Sequence, residues 1–198
     1  DLRMSRGLGD VYKRQLHNVA KTKRAFPKDN HYMFVPIIGG ISPTTVNNVD
    51  VQSNQIAREY AEKFGGTYTQ FLAPALFSEK RVKEYFLKEK TVNFIFDDFQ
   101  KLDVLVMGIG ATSTCTDSTM IQGGYITSEE TKALVENGVA GNVALQFFDE
   151  DGNTEKFQAF NERVAGMSQD MIKRVRSRIG IGGGEDRAKA IKGAIKGG

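Results

Sequence analysis

The chain has 198 residues, 40% of them hydrophobic and 26% charged, and a formal net charge of +3. That balance suits one globular domain, or one large piece of a longer protein. A single Cys excludes a disulfide framework, that Cys and two His are too few for an ordinary zinc site, and no apolar run approaches the ~18 residues of a membrane helix.

Residues 1–15, DLRMSRGLGDVYKRQ, are unlike the rest of the chain. Reverse translation of Ser5–Gln15 resembles a transposase-based sequencing adaptor read in frame, and Asp1–Met4 fit the bases before it. Residues 1–15 are therefore expected to lie outside the fold, with the domain proper at 16–198. A natural basic arm is the alternative. The segment carries four basic and two acidic residues, which leaves the remainder near +1. A net charge so small removes any composition argument for nucleic-acid or membrane binding.

After Leu16, short apolar runs alternate with segments of helical period. Tyr32–Ile38 is apolar and stops at Gly39-Gly40, as a buried strand does. Val51–Phe64 carries Ile56, Tyr60 and Phe64 on one face and ends at Gly65-Gly66, a helix stop. Thr67–Leu72 reads as a strand. Ser78 is placed to cap a helix carrying Val82, Tyr85 and Phe86. Val92, Ile95, Phe96 and Phe99 recur at the spacing of an amphipathic helix, and Asp103–Met107 reads as a strand.

Thr127 and Glu130 form a capping-box pattern before a helix that stops at Asn137-Gly138. Val143–Phe148 and Glu155–Phe160 flank Asp149–Asn153, a hairpin signal. Ser168 caps a helix reaching about Arg176. Arg178–Gly182 reads as a strand, and Gly182–Gly184 leads into a helix from about Glu185 to Ile195. Strands alternating with helices predict an α/β domain, with a mostly parallel sheet flanked by helices and a β-hairpin insertion.

In open α/β sheets ligands bind beyond the carboxyl ends of the strands. Three such ends stand out. Gly39–Ser42 is either a ligand-facing loop or an ordinary tight turn. Gly108–Thr119 is dense in hydroxyls, which suit sugar oxygens or phosphate, or is simply solvated. It is no dinucleotide fingerprint, because Ser113 stands at the third glycine. Cys115 is an incidental thiol with no base to activate it. Gly180–Lys189 is a glycine loop entering a helix, a ready anion site, with Arg187 in the first turn or else solvated. His17 and His31 read as surface residues, and Asp97-Asp98 and Asp149–Asp151 as solvated acidic clusters.

With these loops in this order, residues 16–198 resemble the effector-binding domain of SorC-type sugar-binding transcriptional regulators. The matching stretches are VPIIGGIS (35–42), FLAPALF (71–77), LVMGIG (105–110), GGYIT (123–127), NGVAGNVALQFFDEDG (137–152), NERVAGMS (161–168) and GGGEDRAKAI (182–191). The resemblance implies an α/β fold related to sugar-phosphate isomerases and CoA transferases. It implies a cytoplasmic binding protein, with no cofactor and no catalysis. The partners it implies are a sugar or sugar phosphate, DNA through an N-terminal helix-turn-helix domain that is missing here, and further copies of itself, with no membrane. It also implies a chain truncated at both ends. The alternative is a sugar-phosphate isomerase-like enzyme.

The resemblance further places Gly39, Gly40, Gln52, Asn54, Gly108 and Gly110 near the ligand. Ile38 stands where some members carry a Lys able to form a Schiff base, so binding is expected to be non-covalent. Asn142 replaces an acidic residue and can both donate and accept. Arg187 replaces a Lys and gains bidentate geometry, and Lys189 matches a second basic position.

Overall fold

The computed structural model describes residues 16, 18, 19, 21, 31–41, 52–111 and 126–198. Residues 1–15, His17, Ser42 and the hydroxyl-rich stretch 112–125 with Cys115 lie outside the described residues.

The first strand is shorter than its apolar run. β1 covers Met33–Phe34 and pairs in parallel with β2, Thr67–Tyr68. Pro36 has no N–H to offer a ladder. Beyond it the chain makes only isolated bridges, Ile38 to Gly166 and Gly40 to Pro74. Between the two strands lies α1, Ser53–Phe64, which ends as expected at Gly65, left-handed at φ 81°. Phe34 sits 5.8 Å from both Tyr60 and Phe64, so the helix closes over the strand.

The helix expected after Ser78 is α2, Lys80–Phe86, but Ser78 does not cap it. Glu79 is the N-cap, and it makes no side-chain bond. No residue of α2 is buried, and Val82, Tyr85 and Phe86 face solvent. The next apolar stripe folds as two short helices, α3 (Lys90–Asn93) and α4 (Ile95–Phe99). Val92, Ile95 and Phe99 are buried, and Phe99 meets Phe71 edge to face at 6.0 Å.

β3, Val104–Gly108, pairs in parallel with β7, Ser177–Ile181, from Val104↔Ser177 to Gly108↔Ile181. β4, Gly110–Ala111, turns away to pair antiparallel with β5, Gly141–Val143, which pairs in turn with β6, Gln146–Phe148. α5, Ser128–Glu136, is held by the expected capping box. Thr127 N–H donates to Glu130 Oε2 at 2.9 Å, and Glu130 N–H to Thr127 Oγ1 at 3.1 Å.

The hairpin is not where the sequence put it. It joins β5 to β6 through Ala144 and Leu145, both left-handed at φ 49° and 62°. Asp149–Asn153 is a local turn after β6, and 155–160 is helical rather than extended. The helical part is a 3-10 turn, Glu155–Phe157, followed by α6, Gln158–Asn161. Phe157 and Phe160 point inward from it, and Phe160 packs on Phe147 at 4.9 Å.

α7, Gln169–Arg174, carries the expected Ser168 cap. After β7, a 3-10 turn at Glu185–Arg187 opens α8, Ala188–Gly197. The α/β class with parallel pairing and flanking helices therefore holds, with one core running from Ile38 to Ala190. No described helix is long and apolar enough to cross a membrane.

Candidate functional site

β3 and β7 run parallel, so their carboxyl ends open on one side, where ligands of α/β sheets bind. Ile109 N–H donates to Ile181 C=O at 2.9 Å and extends the ladder one step. Then the chains part: Gly110 begins β4, and Gly182–Gly184 lead into the Arg187 turn.

Gly110 faces Asn142 across the β4–β5 pair. A Cβ on Gly110 would stand 2.9 Å from Asn142 Nδ2, so only glycine lets the carboxamide lie against the strand. Asn142 is buried, and its Oδ1 has no hydrogen-bond partner.

Arg187 closes the 3-10 turn that packs on β4. It is 4% exposed, although it is an arginine. Nη1 donates to Gly183 C=O at 2.6 Å, while Nε is buried without a partner. Buried polar groups are nearly always paired, and an unmet charged donor costs more than a neutral one, about 1–3 kcal/mol or above. Asn142 Oδ1 and Arg187 Nε are the two buried side-chain atoms in that condition among the described residues. One lacks a donor and the other an acceptor, and both flank β4. A hydroxyl with a neighbouring anionic group supplies both. The turn also carries Glu185 and Asp186, both exposed.

Gly39, Gly40, Gln52 and Asn54 form a second group, with different duties. Gly39 N–H donates to Ala165 C=O at 2.9 Å and Gly40 N–H to Ala73 C=O at 2.8 Å, so neither amide is free. A Cβ on Gly39 would lie 2.4 Å from Ala73 O. Gln52 clamps Ile41: Ile41 N–H donates to Oε1 at 3.0 Å, and Nε2 donates back to Ile41 C=O. Asn54 clamps Phe71 likewise, at 2.8 and 3.1 Å. Each carboxamide stands in for a strand partner, Gln52 at Ile41 and Asn54 at Phe71.

Lys189 is not brought to Arg187. Two residues on along the helix, it points outward and pairs with Glu150 at 2.6 Å. Hydrogen bonding to Glu150 raises its pKa. Two further residues were missed from sequence alone. Ser53 Oγ donates to Ile38 C=O at 2.7 Å. Asn161 makes a third clamp, on Phe147, at 2.8 and 2.9 Å. The polar triplet Gln52-Ser53-Asn54 opening a helix with no acidic residue was a signal for the first. Nothing local marks Asn161. No described group of three or more His, Cys, Asp or Glu could hold a metal.

Known proteins share this sequence pattern and this fold. The family profile described as "Putative sugar-binding domain" matches residues 13–198. The transcriptional regulator LsrR of Klebsiella pneumoniae is 28% identical over 125 residues, 63% of this chain and 39% of that protein. The chain thus spans about two fifths of the curated relatives it matches. The full-length sorbitol operon regulator SorC of Klebsiella pneumoniae superposes with a TM-score of 0.81 at 22% identity, covering 94% of this chain and 59% of that one. A DeoR family transcriptional regulator from Listeria monocytogenes gives 0.80 at 24% identity, covering 94% and 70%. At these identities the structures speak for the fold.

Proposed function

Because the chain belongs to the sugar-binding domain family, matched over residues 13–198, we propose that it is the ligand-sensing domain of a bacterial transcriptional regulator, taking a sugar or sugar phosphate non-covalently. One observation carries the ligand class: a guanidinium 4% exposed with an unmet donor, at the strand ends where α/β ligands bind. Arg187 takes an anionic oxygen and Asn142 Oδ1 accepts from a hydroxyl. Gly108 and Gly110 let the backbone come close. Gly39, Gly40, Gln52 and Asn54 hold the neighbouring loop in shape. Ile38 offers no amine for a Schiff base.

The output is a population shift: the ligand binds one subunit arrangement better and draws the equilibrium toward it. Couplings of this kind are typically about 1–3 kcal/mol. A helix-turn-helix domain of a longer, homo-oligomeric cytoplasmic protein would read the DNA. An isomerase-like enzyme needs a positioned general base, and neither Asn142 nor Ile38 can serve as one.

The test is calorimetry with matched sugars and sugar phosphates. Arg187→Ala should weaken a phosphorylated ligand by about 1.5–3 kcal/mol, roughly 10- to 150-fold, and its unphosphorylated twin much less. Equal affinity for wild type and variant would remove Arg187 from the site. A chain that binds neither class would overturn the reading.

A further inference from the structure

The ends of β3 and β7 opposite the candidate site carry a concentration of positive charge that the function above does not use. Lys173 and Arg174 close α7, Arg176 and Arg178 come within four residues of it, and all four are exposed. Ser177 N–H donates to Asp103 C=O at 3.3 Å, so the turn that carries the exposed Lys101 enters β3 at the end of the ladder where Arg176 enters β7. None of these five cations makes an ion pair with a described residue. Their acidic neighbours are Asp97 and Asp98, whose turn Lys101 closes by donating its N–H to Asp98 C=O at 3.1 Å, and Asp103 and Asp170.

The basic face of α8 is different. Lys189 and Lys192 share Glu150, and Lys196 meets Asp151. There the positive charge is answered within the chain. The helix dipole accounts for Lys173 and Arg174 at the end of α7, because cations are favoured there. It accounts for neither Arg176 nor Lys101, which lie outside the helix.

We propose that Lys101, Arg174 and Arg176, with Lys173 and Arg178 at their margin, form a contact surface for the phosphate backbone of DNA, without base readout. The proposal rests on the regulator reading, since a transcriptional regulator works beside duplex DNA. Unpaired arginines and lysines gathered on one face are the electrostatic footprint of such contacts. Phosphate contacts of this type add affinity and orientation but no sequence preference.

The experiment uses the full chain and a short DNA duplex of arbitrary sequence, with anisotropy read against salt. Three phosphate contacts should weaken binding about 40-fold between 50 and 200 mM salt. The variant Lys101→Gln/Arg174→Gln/Arg176→Gln should lose that binding and its salt slope. Lys173 and Arg178 stay, because Lys173 packs on Gly198 and Arg178 Nη1 donates to Lys173 C=O. Lys132→Gln/Lys192→Gln/Lys196→Gln removes equal charge from paired surface lysines and should keep most of the binding. The single variant Arg176→Gln, with about one contact fewer in slope, covers the case of a triple variant that misfolds.

Equal loss in both triple variants would reduce the effect to net charge and overturn the proposal. So would no binding by wild type at 50 mM salt, or tighter binding to polyglutamate than to duplex, which would mark a surface for an acidic protein. Sugar phosphate calorimetry on the same samples separates the two readings. The patch variant should keep its ligand, and failure of wild type to bind any sugar would count against the sensing role and not against this surface.

Discussion

Arg187 combines two properties that rarely coexist, a full charge and near-complete burial. With Nε unmet, the side chain weakens the ligand-free fold. Replacing it by Met, of similar length and apolar, should leave the melting temperature unchanged or raise it, while the phosphorylated ligand loses affinity. A clear fall in melting temperature in Arg187→Met would show that the Gly183 bond matters more than the unmet donor. A polar side chain elsewhere behaves in the opposite way. Burial pushes the Asp149 carboxyl upward, but bonds from Asn153 N–H, Asn153 Nδ2 and Asp151 N–H, with the charge of Lys156, hold it below its ordinary value. A depressed carboxylate adds stability above its unfolded pKa, and that stability is lost as pH falls through the folded value. Asp149→Asn should therefore lower the neutral-pH melting temperature and flatten its decline below about pH 4. Parallel melting curves for the two proteins would show that the turn contributes nothing.

Helix ends were the most readable elements, because capping is local chemistry. Gly65, Ser168 and the Thr127–Glu130 box all act where the sequence placed them. The box has a further member. Glu130 Oε2 accepts from Thr127, and Oε1 accepts from Arg163 Nη1, whose Nε donates to Phe77 C=O at 2.8 Å. Thr127→Ala should cost about 1 kcal/mol, the ordinary cap value. Glu130→Ala should cost more, since it also strips Arg163 of its partner, and the double variant should fall short of the sum. Strict additivity in urea unfolding would separate cap from ion pair. The β5–β6 hairpin was unreadable for an equally physical reason. Two-residue turns of this hand call for Asn-Gly or Asp-Gly, whereas Ala144 and Leu145 are apolar and buried, so VALQFF looks like one strand. Its partner run EKFQAF did hold a clue, the spacing of three between Phe157 and Phe160.

At the scale of the molecule, the order of strands and helices was enough for the class, and the glycines for the strand ends. The sequence did not show that Gln52 and Asn54 would be spent on the backbone, because an amide looks the same whether it faces a ligand or a peptide. Lys189 facing away from Arg187 also needed the helix in place. The boundary after residue 15 remains our proposal. Leu16 itself is held to the fold, its C=O accepting from Tyr60 Oη on α1 at 3.2 Å, and the family profile begins at residue 13. Deleting Asp1–Gln15 should leave the melting temperature within about 1 °C, under the shift of roughly 2–4 °C expected for 1 kcal/mol in a domain of this size. A large drop would return those residues to the fold.

The β3–β7 ladder joins Val104 to Ser177, with most of the second half of the chain between them. On the ribosome, that pairing waits until Ser177–Ile181 has emerged, well after Val104–Gly108, and domains fold from the N-terminal side. Arg187 arrives later still. The candidate site is then a late product of folding, assembled by contacts of high sequence separation that form slowly. On the sensing role we propose, a sugar present during refolding has nothing to hold until then. It should slow unfolding while leaving the refolding rate untouched, as do interactions absent from the transition state. On that proposed role, the same timing keeps the domain silent while it is being made: a chain stopped before Arg187 can neither capture a sugar nor deplete it.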